Sequence, residues 1–153
     1  MSKPLHVLTR PHHLAARLLT SLSNRPPEVA EEVWAESSLL PGEVILWRQM
    51  SNQDRRHSAK VARRFVLARP SASRAEIAGA LLHDVGKIEC RLGTWGRVAA
   101  SVVGSRTERF RLYHDHEHIG SLLADVAGSD PATVELIDER GPAYATLKSC
   151  DRA

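Results

Sequence analysis

Apolar residues along this chain recur three and four positions apart, in blocks separated by short stretches of Gly, Pro, Ser and Asn, a spacing that predicts helices joined by tight turns. Leu14, Leu18, Leu19 and Leu22 predict a helix over 11–22, stopped by Ser23-Asn24-Arg25-Pro26-Pro27. A short helix is predicted over 28–37, and Pro41-Gly42-Glu43 opens a third through Leu46 and Trp47. Ser51 is the expected N-cap of the next, with Asp54 in a capping-box-like position, and the helix runs to about Ala68. On it His57, Val61 and Phe65 share one face, so His57 is expected to point inward. Ser73 and Glu76 form a capping box for a helix from Arg74 to about Asp84. That helix becomes apolar nearly all round in Ile77-Ala78-Gly79-Ala80-Leu81-Leu82, as a central element should be.

After the loop Gly93-Thr94-Trp95-Gly96 a short apolar helix is predicted through Val98, Ala99, Val102 and Val103, followed by a long one from about Glu108 to Val126. His116 falls on its stripe of Leu112, Tyr113, Ile119, Gly120 and Leu123. His114 and His118 share the opposite face with Arg111, Glu117 and Ser121. Asp130 as N-cap and Pro131 at the first helical position open another helix, which Gly141-Pro142 breaks. The last begins near Ala143 and carries Tyr144, Leu147 and Asp151 on one side. No period-two stretch reads as a strand, so the expected fold is all-α, a helical bundle.

Composition narrows the class further. The 153 residues, 42% apolar and 25% charged, suit one soluble domain with a genuine core, and exclude disordered and fibrous classes. No apolar run approaches the ~20 residues of a bilayer span, and Met1-Ser2-Lys3-Pro4-Leu5-His6 lacks a signal peptide's apolar segment, so no membrane partner and a cytoplasmic location are expected. Cys90 and Cys150 lack metal or disulfide-scaffold spacing and read as reduced structural thiols. The net charge of +3 comes from scattered arginines, which favours phosphorylated ligands slightly and carries no nucleic-acid-binding motif.

The candidate chemistry centres on Leu81-Leu82-His83-Asp84-Val85-Gly86-Lys87-Ile88, where a histidine and an aspartate end a buried helix. Such groups are costly there unless they are paired or bind a metal. Gly86 is expected to turn the chain off the helix, and Lys87 to reach a phosphate oxygen. With His57 before and Asp151 after, two imidazoles and two carboxylates make a mixed set suited to Mn, Fe, Co, Ni or Zn. A metal so held can acidify bound water to hydroxide and polarise a phosphoryl oxygen. His12 and His13 read as ordinary surface residues. His114 and His118 form an i, i+4 pair that a solvated face explains as well.

His57, the doublet His83-Asp84 in its HDxGK context, and the distant Asp151 together resemble the HD-domain superfamily of metal-dependent phosphohydrolases. His116-Glu117-His118-Ile119-Gly120 is similar to the H-x-x-I-G segment of many members. The resemblance implies a single domain over 1–153, with 1–38 as an N-terminal helical extension and 39–153 as the core. It further implies hydrolysis of a phosphomonoester or phosphodiester, of a nucleotide above all. His57, His83, Asp84 and Asp151 are then ligands to one divalent metal, Lys87 steadies the developing charge, and His116 orients substrate or completes a partial second site. Members with two metals usually add a histidine where Arg140 aligns here, and a guanidinium at that place would supply the positive charge a second metal would give. The chain stops two residues beyond Asp151 where members commonly continue the helix, so the expectation is either a last ligand held less firmly or one covered by a second subunit in a homodimer. The alternative functional reading is a regulatory or nucleotide-binding module of the same fold with a weak or inactive site. A di-iron oxygenase is a third, against which Arg140 speaks.

Overall fold

The computed structural model describes residues 23–90 and 115–153. The expectations for a helix over 11–22 with His12 and His13, for the apolar helix through Val98 and Val103, and for the start of the long helix with His114 lie outside the described residues, as does the side chain of Cys90. Within them the chain is all-helical: α1 (Val29–Ser37), α2 (Pro41–Gln49), α3 (Asn52–Ala68), α4 (Arg74–Leu82), α5 (Lys87–Cys90), α6 (His116–Val126), α7 (Pro131–Ile137) and α8 (Tyr144–Arg152).

The helix starts follow from local chemistry. Ser51 accepts the Asp54 N–H at 3.1 Å, while Ser73 Oγ accepts the Glu76 N–H at 3.2 Å and Glu76 returns the favour to the Ser73 N–H at 2.9 Å. Asp130 stands at the N-cap of α7 without a side-chain cap bond. Its carboxylate pairs with Arg74 instead, so a tertiary ion pair has taken over a group the sequence assigns to capping.

Helix α4 is the central element. Ala78, Ala80, Leu81 and Leu82 are fully buried, and α3, α2 and α7 pack around it. The α7 contact is the closest, because a Cβ at Gly79 would already lie 3.0 Å from the Leu136 side chain, and the Thr133 hydroxyl donates to the Ala75 carbonyl at 2.8 Å across the interface. Helix α8 lies on α3, and α6 on α7. These contacts bring the N-terminal half of α3, the C-terminal end of α4 and the C-terminal half of α8 to one place.

Ala35 of α1 is fully buried in the same core as Trp47 and Phe65, and Glu32 accepts from the Trp47 indole N–H at 3.0 Å and pairs with Arg55 at 2.7 Å.

A buried charge fixes how α2 meets α4. The Glu43 side chain is wholly buried, accepts from the Leu40 N–H at 2.7 Å and pairs with the Arg74 guanidinium at 3.0 Å. Removing one partner of a buried pair strands the other. Arg74→Ala is therefore expected to lower stability by about 3 kcal/mol, the low end of such cases because the guanidinium is partly solvated. The urea midpoint measures this, and a shift no larger than for Arg48→Ala, whose Glu36 pair is at the surface, would contradict it.

Candidate metal centre

His57 comes from α3, His83 is the C-cap of α4, and Asp151 sits in the last turns of α8. Their ligating atoms all lie within 4.8 Å of one another. His57 Nε2–H donates to Asp151 Oδ1 at 2.7 Å, His83 Nε2 is 3.5 Å from the same oxygen, and the two imidazole rings are 5.6 Å apart centre to centre.

The state of His83 is set by its backbone partner. Nδ1 lies 2.8 Å from the Ala80 carbonyl oxygen, which can only accept, so Nδ1 carries the hydrogen. Nε2 is left buried without a hydrogen bond among the described residues, 3.5 Å from the Asp151 carboxylate and within 4.8 Å of a His57 ring nitrogen. An orphaned imidazole nitrogen facing a carboxylate is ill-matched to that carboxylate alone and well matched to a cation between them. The donor set of two nitrogens and an oxygen thus fits a divalent transition metal.

Electrostatics point the same way. The His57 imidazole first, through its hydrogen bond, and then the His83 imidazole close by hold the Asp151 carboxyl far below the usual carboxylate range. Burial works against a charge on His83, but Asp84 and then Asp151 outweigh it and raise its pKa. The cluster is a net attractor of positive charge.

Asp84 stands beside the trio rather than within it. Its carboxylate is 5% exposed, with Oδ2 at 3.8 Å from His83 Nε2 and 2.6 Å from the Lys87 ammonium, and with Oδ1 3.4 Å from His116 Nε2. Burial alone would raise its pKa, yet Lys87 first, then His83 and His116, hold it well below the usual range. Of the four expected ligands, then, three converge and the fourth is engaged by the lysine expected to face a phosphate. His57 and Asp151 also differ from expectation in burial: their side chains are 44% and 43% exposed, at the rim of the site rather than in the core.

These residues line a cavity of about 220 Å³ whose wall also includes Lys87, His116, Glu117, Glu139, Tyr144 and Lys148. His116 therefore faces the site as expected, with Glu117 Oε1 3.3 Å from its Nε2. Glu117, which helical spacing sets on the face opposite His116, lines the cavity as well. Ser121 is likewise buried, donating to the His118 carbonyl at 2.7 Å. His118 is exposed and pairs with Asp138 at 3.1 Å, away from the trio. Arg140 is not among the lining residues: its guanidinium is 60% exposed and donates to Asp138 Oδ2 at 2.8 Å. Cys150 is a free, buried thiol.

Gly86 serves the site by close approach rather than by an unusual backbone angle. A Cβ there would sit 1.8 Å from the His116 carbonyl oxygen and 2.8 Å from the Gly120 nitrogen. Gly86→Ala must push α6 away from the turn that carries Asp84. Its expected cost is about 2–3 kcal/mol, the upper part of the range for overpacking, together with loss of the His116 to Asp84 contact. Thermal unfolding tests the first; an unshifted midpoint would mean that α6 is free to move.

Comparison with family models, with characterised proteins and with solved structures gave no match for this chain.

Proposed function

We propose that the chain is a metal-dependent phosphohydrolase that cleaves a phosphomonoester or phosphodiester, of a nucleotide above all. The observation that carries this reading is the buried, unpartnered Nε2 of His83 aimed at Asp151 and His57, in a cavity whose wall also holds Lys87. The sequence pattern of a histidine, a His-Asp doublet and a distant aspartate, with its likeness to the HD-domain superfamily, supports it independently.

His57, His83 and Asp151 would hold a divalent metal of the Mn, Fe, Co, Ni or Zn kind, with the Asp84 carboxylate adjacent as the expected fourth donor. Such a metal, when bound, supplies an acidified water and polarises a phosphoryl oxygen. The chain's own residues do the rest. The Ala80 carbonyl fixes the His83 tautomer, and Asp84 positions the Lys87 ammonium at the cavity wall, where it offers a positive charge to a phosphate oxygen. His116 lies within reach of both Asp84 and the cavity, placed to orient substrate. Arg140, tied to Asp138, has no part in this arrangement. Lys148 lines the cavity and is the better second cation.

Elemental mass spectrometry on protein purified without chelator should give about one transition metal per chain, held by the three-residue set. Hydrolysis of p-nitrophenyl phosphate or its bis-ester should disappear on chelation and return with metal. Bound metal and a bound nucleotide without turnover of either ester would replace the hydrolase by a regulatory, nucleotide-binding module. The absence of any metal after reconstitution would defeat the hydrolase and leave the regulatory module.

A further inference from the structure

The cavity has a second polar wall that the metal chemistry does not use. On α8, Tyr144, Lys148 and Asp151 fall at i, i+4 and i+7, on one face. At 1.5 Å per residue, Lys148 lies about 4.5 Å and Tyr144 about 10 Å along the helix axis from the metal-binding carboxylate. All three line the cavity, so the helix runs along it as a graded wall from the metal end outward.

The far end of that wall is built to hold hydrogen bonds that the protein does not itself complete. The Tyr144 hydroxyl is buried and completes no hydrogen bond among the described residues, with the Glu139 carboxylate and the Lys148 ammonium near enough to act on it. Burial, with the Glu139 carboxylate next in importance, pushes its phenol pKa up, so the group stays a neutral O–H donor. The Lys148 ammonium stands 5.2 Å from the centre of the Tyr144 ring. Glu139, the lining residue opposite, has φ +58°, the left-handed residue at the end of α7, where the Arg140 N–H closes back on the Glu135 carbonyl at 2.8 Å. Glycine is the usual occupant of that conformation, and a glutamate there keeps a carboxylate on the cavity at a conformational cost glycine would avoid.

We infer that Tyr144 and Glu139 form a leaving-group subsite that reads the hydroxyls of a sugar or polyol phosphoester, with the phosphoryl group at His57, His83 and Asp151 and the sugar ring laid along α8. The phenol donates to one sugar oxygen and the Glu139 carboxylate accepts from a hydroxyl, the pairing that a vicinal diol offers. The distance from Asp151 to Tyr144 along the helix matches a phosphoryl group followed by one sugar ring. This rests on the phosphohydrolase reading and goes beyond it in naming the part of the substrate that is not cleaved. Lys148, between the two ends, faces the phosphate.

The test compares ribose 5-phosphate with phenyl phosphate, which has the same reacting group and no hydroxyls, on the metal-loaded protein. Both Tyr144→Phe and Glu139→Gln should lower the ratio of kcat/KM for ribose 5-phosphate over phenyl phosphate by about tenfold, the effect of one lost hydrogen bond to a buried or charged group. Both changes are close to isosteric, and metal content serves as the folding control. An unchanged ratio in both variants, with the wild type active on both esters, overturns the subsite and leaves the hydrolase intact. Absence of turnover of either ester by the metal-loaded wild type overturns the hydrolase reading and this one with it.

Discussion

His83→Ala should abolish both metal retention and phosphoester turnover, while leaving the helical fold in place. Of the three converging side chains, His83 is the one whose geometry is set without a metal: its Nδ1 hydrogen is committed to the Ala80 carbonyl at 2.8 Å, and its Nε2 is buried with no hydrogen bond among the described residues. His57 and Asp151 are held more loosely at the rim and satisfy one another at 2.7 Å. Deleting His83 leaves that pair as an ordinary exposed hydrogen bond, which a metal must break to bind. Outer-shell partners of a metal ligand cost about 10–100-fold when removed, so loss of this inner ligand should cost at least about 10³-fold in turnover. Elemental analysis and phosphoester assays read the two effects, and circular dichroism reads the fold. His118→Ala, which removes an exposed histidine paired with Asp138 and outside the cavity lining, is the matched control and should retain metal. Turnover surviving in His83→Ala would mean that the trio is not the reaction centre.

The framework of this arrangement is legible in the sequence wherever a local rule decides the outcome. Ser51, Ser73 and Glu76 cap the helices that periodicity predicts, because those bonds close within one turn. The all-round apolar stretch from Ala78 to Leu82 is buried, since such a helix has no face to give to water. His57, His83 and Asp151 meet because each shares a side with apolar residues that must pack on the same core.

What spacing does not decide is which way a long side chain turns once it gets there. Lys87 is three residues after Asp84, as close to that carboxylate as to any substrate, and in the protein it takes the carboxylate. Arg140 falls where the resemblance would place a second-metal histidine, but the left-handed turn at Glu139 sets it beside Asp138 and puts the glutamate on the cavity. Ser121 is buried because Asp138, the residue that follows α7, packs against that side of α6, where Ser121 Oγ donates to its Oδ1 at 3.3 Å. Tyr144 was visible only as one more apolar position on the last helix. Its hydroxyl acquires a meaning only when the cavity wall is known.

The Asp84–Lys87 pair leads to the second large effect. Lys87→Met should destabilise the metal-free protein by roughly 3 kcal/mol, because it leaves a 5%-exposed carboxylate without the cation that lies 2.6 Å from it. Methionine keeps the length and the apolar stem, so packing is nearly preserved and the loss is chiefly electrostatic. The His116 ring at 3.4 Å remains and keeps the cost at the lower end of the range for a broken buried pair. A divalent metal at the neighbouring trio supplies positive charge to the same carboxylate, so adding metal should recover more stability in Lys87→Met than in the wild type. Binding to the folded state alone stabilises both proteins by mass action, and the difference between them isolates the Asp84 contribution. Paired urea titrations with chelator and with manganese read this directly. If Lys87→Met without metal unfolded at the wild-type midpoint, Asp84 would not depend on its lysine. If metal stabilised both proteins equally, Asp84 would stand outside the metal's reach and the centre would be the three-residue set alone.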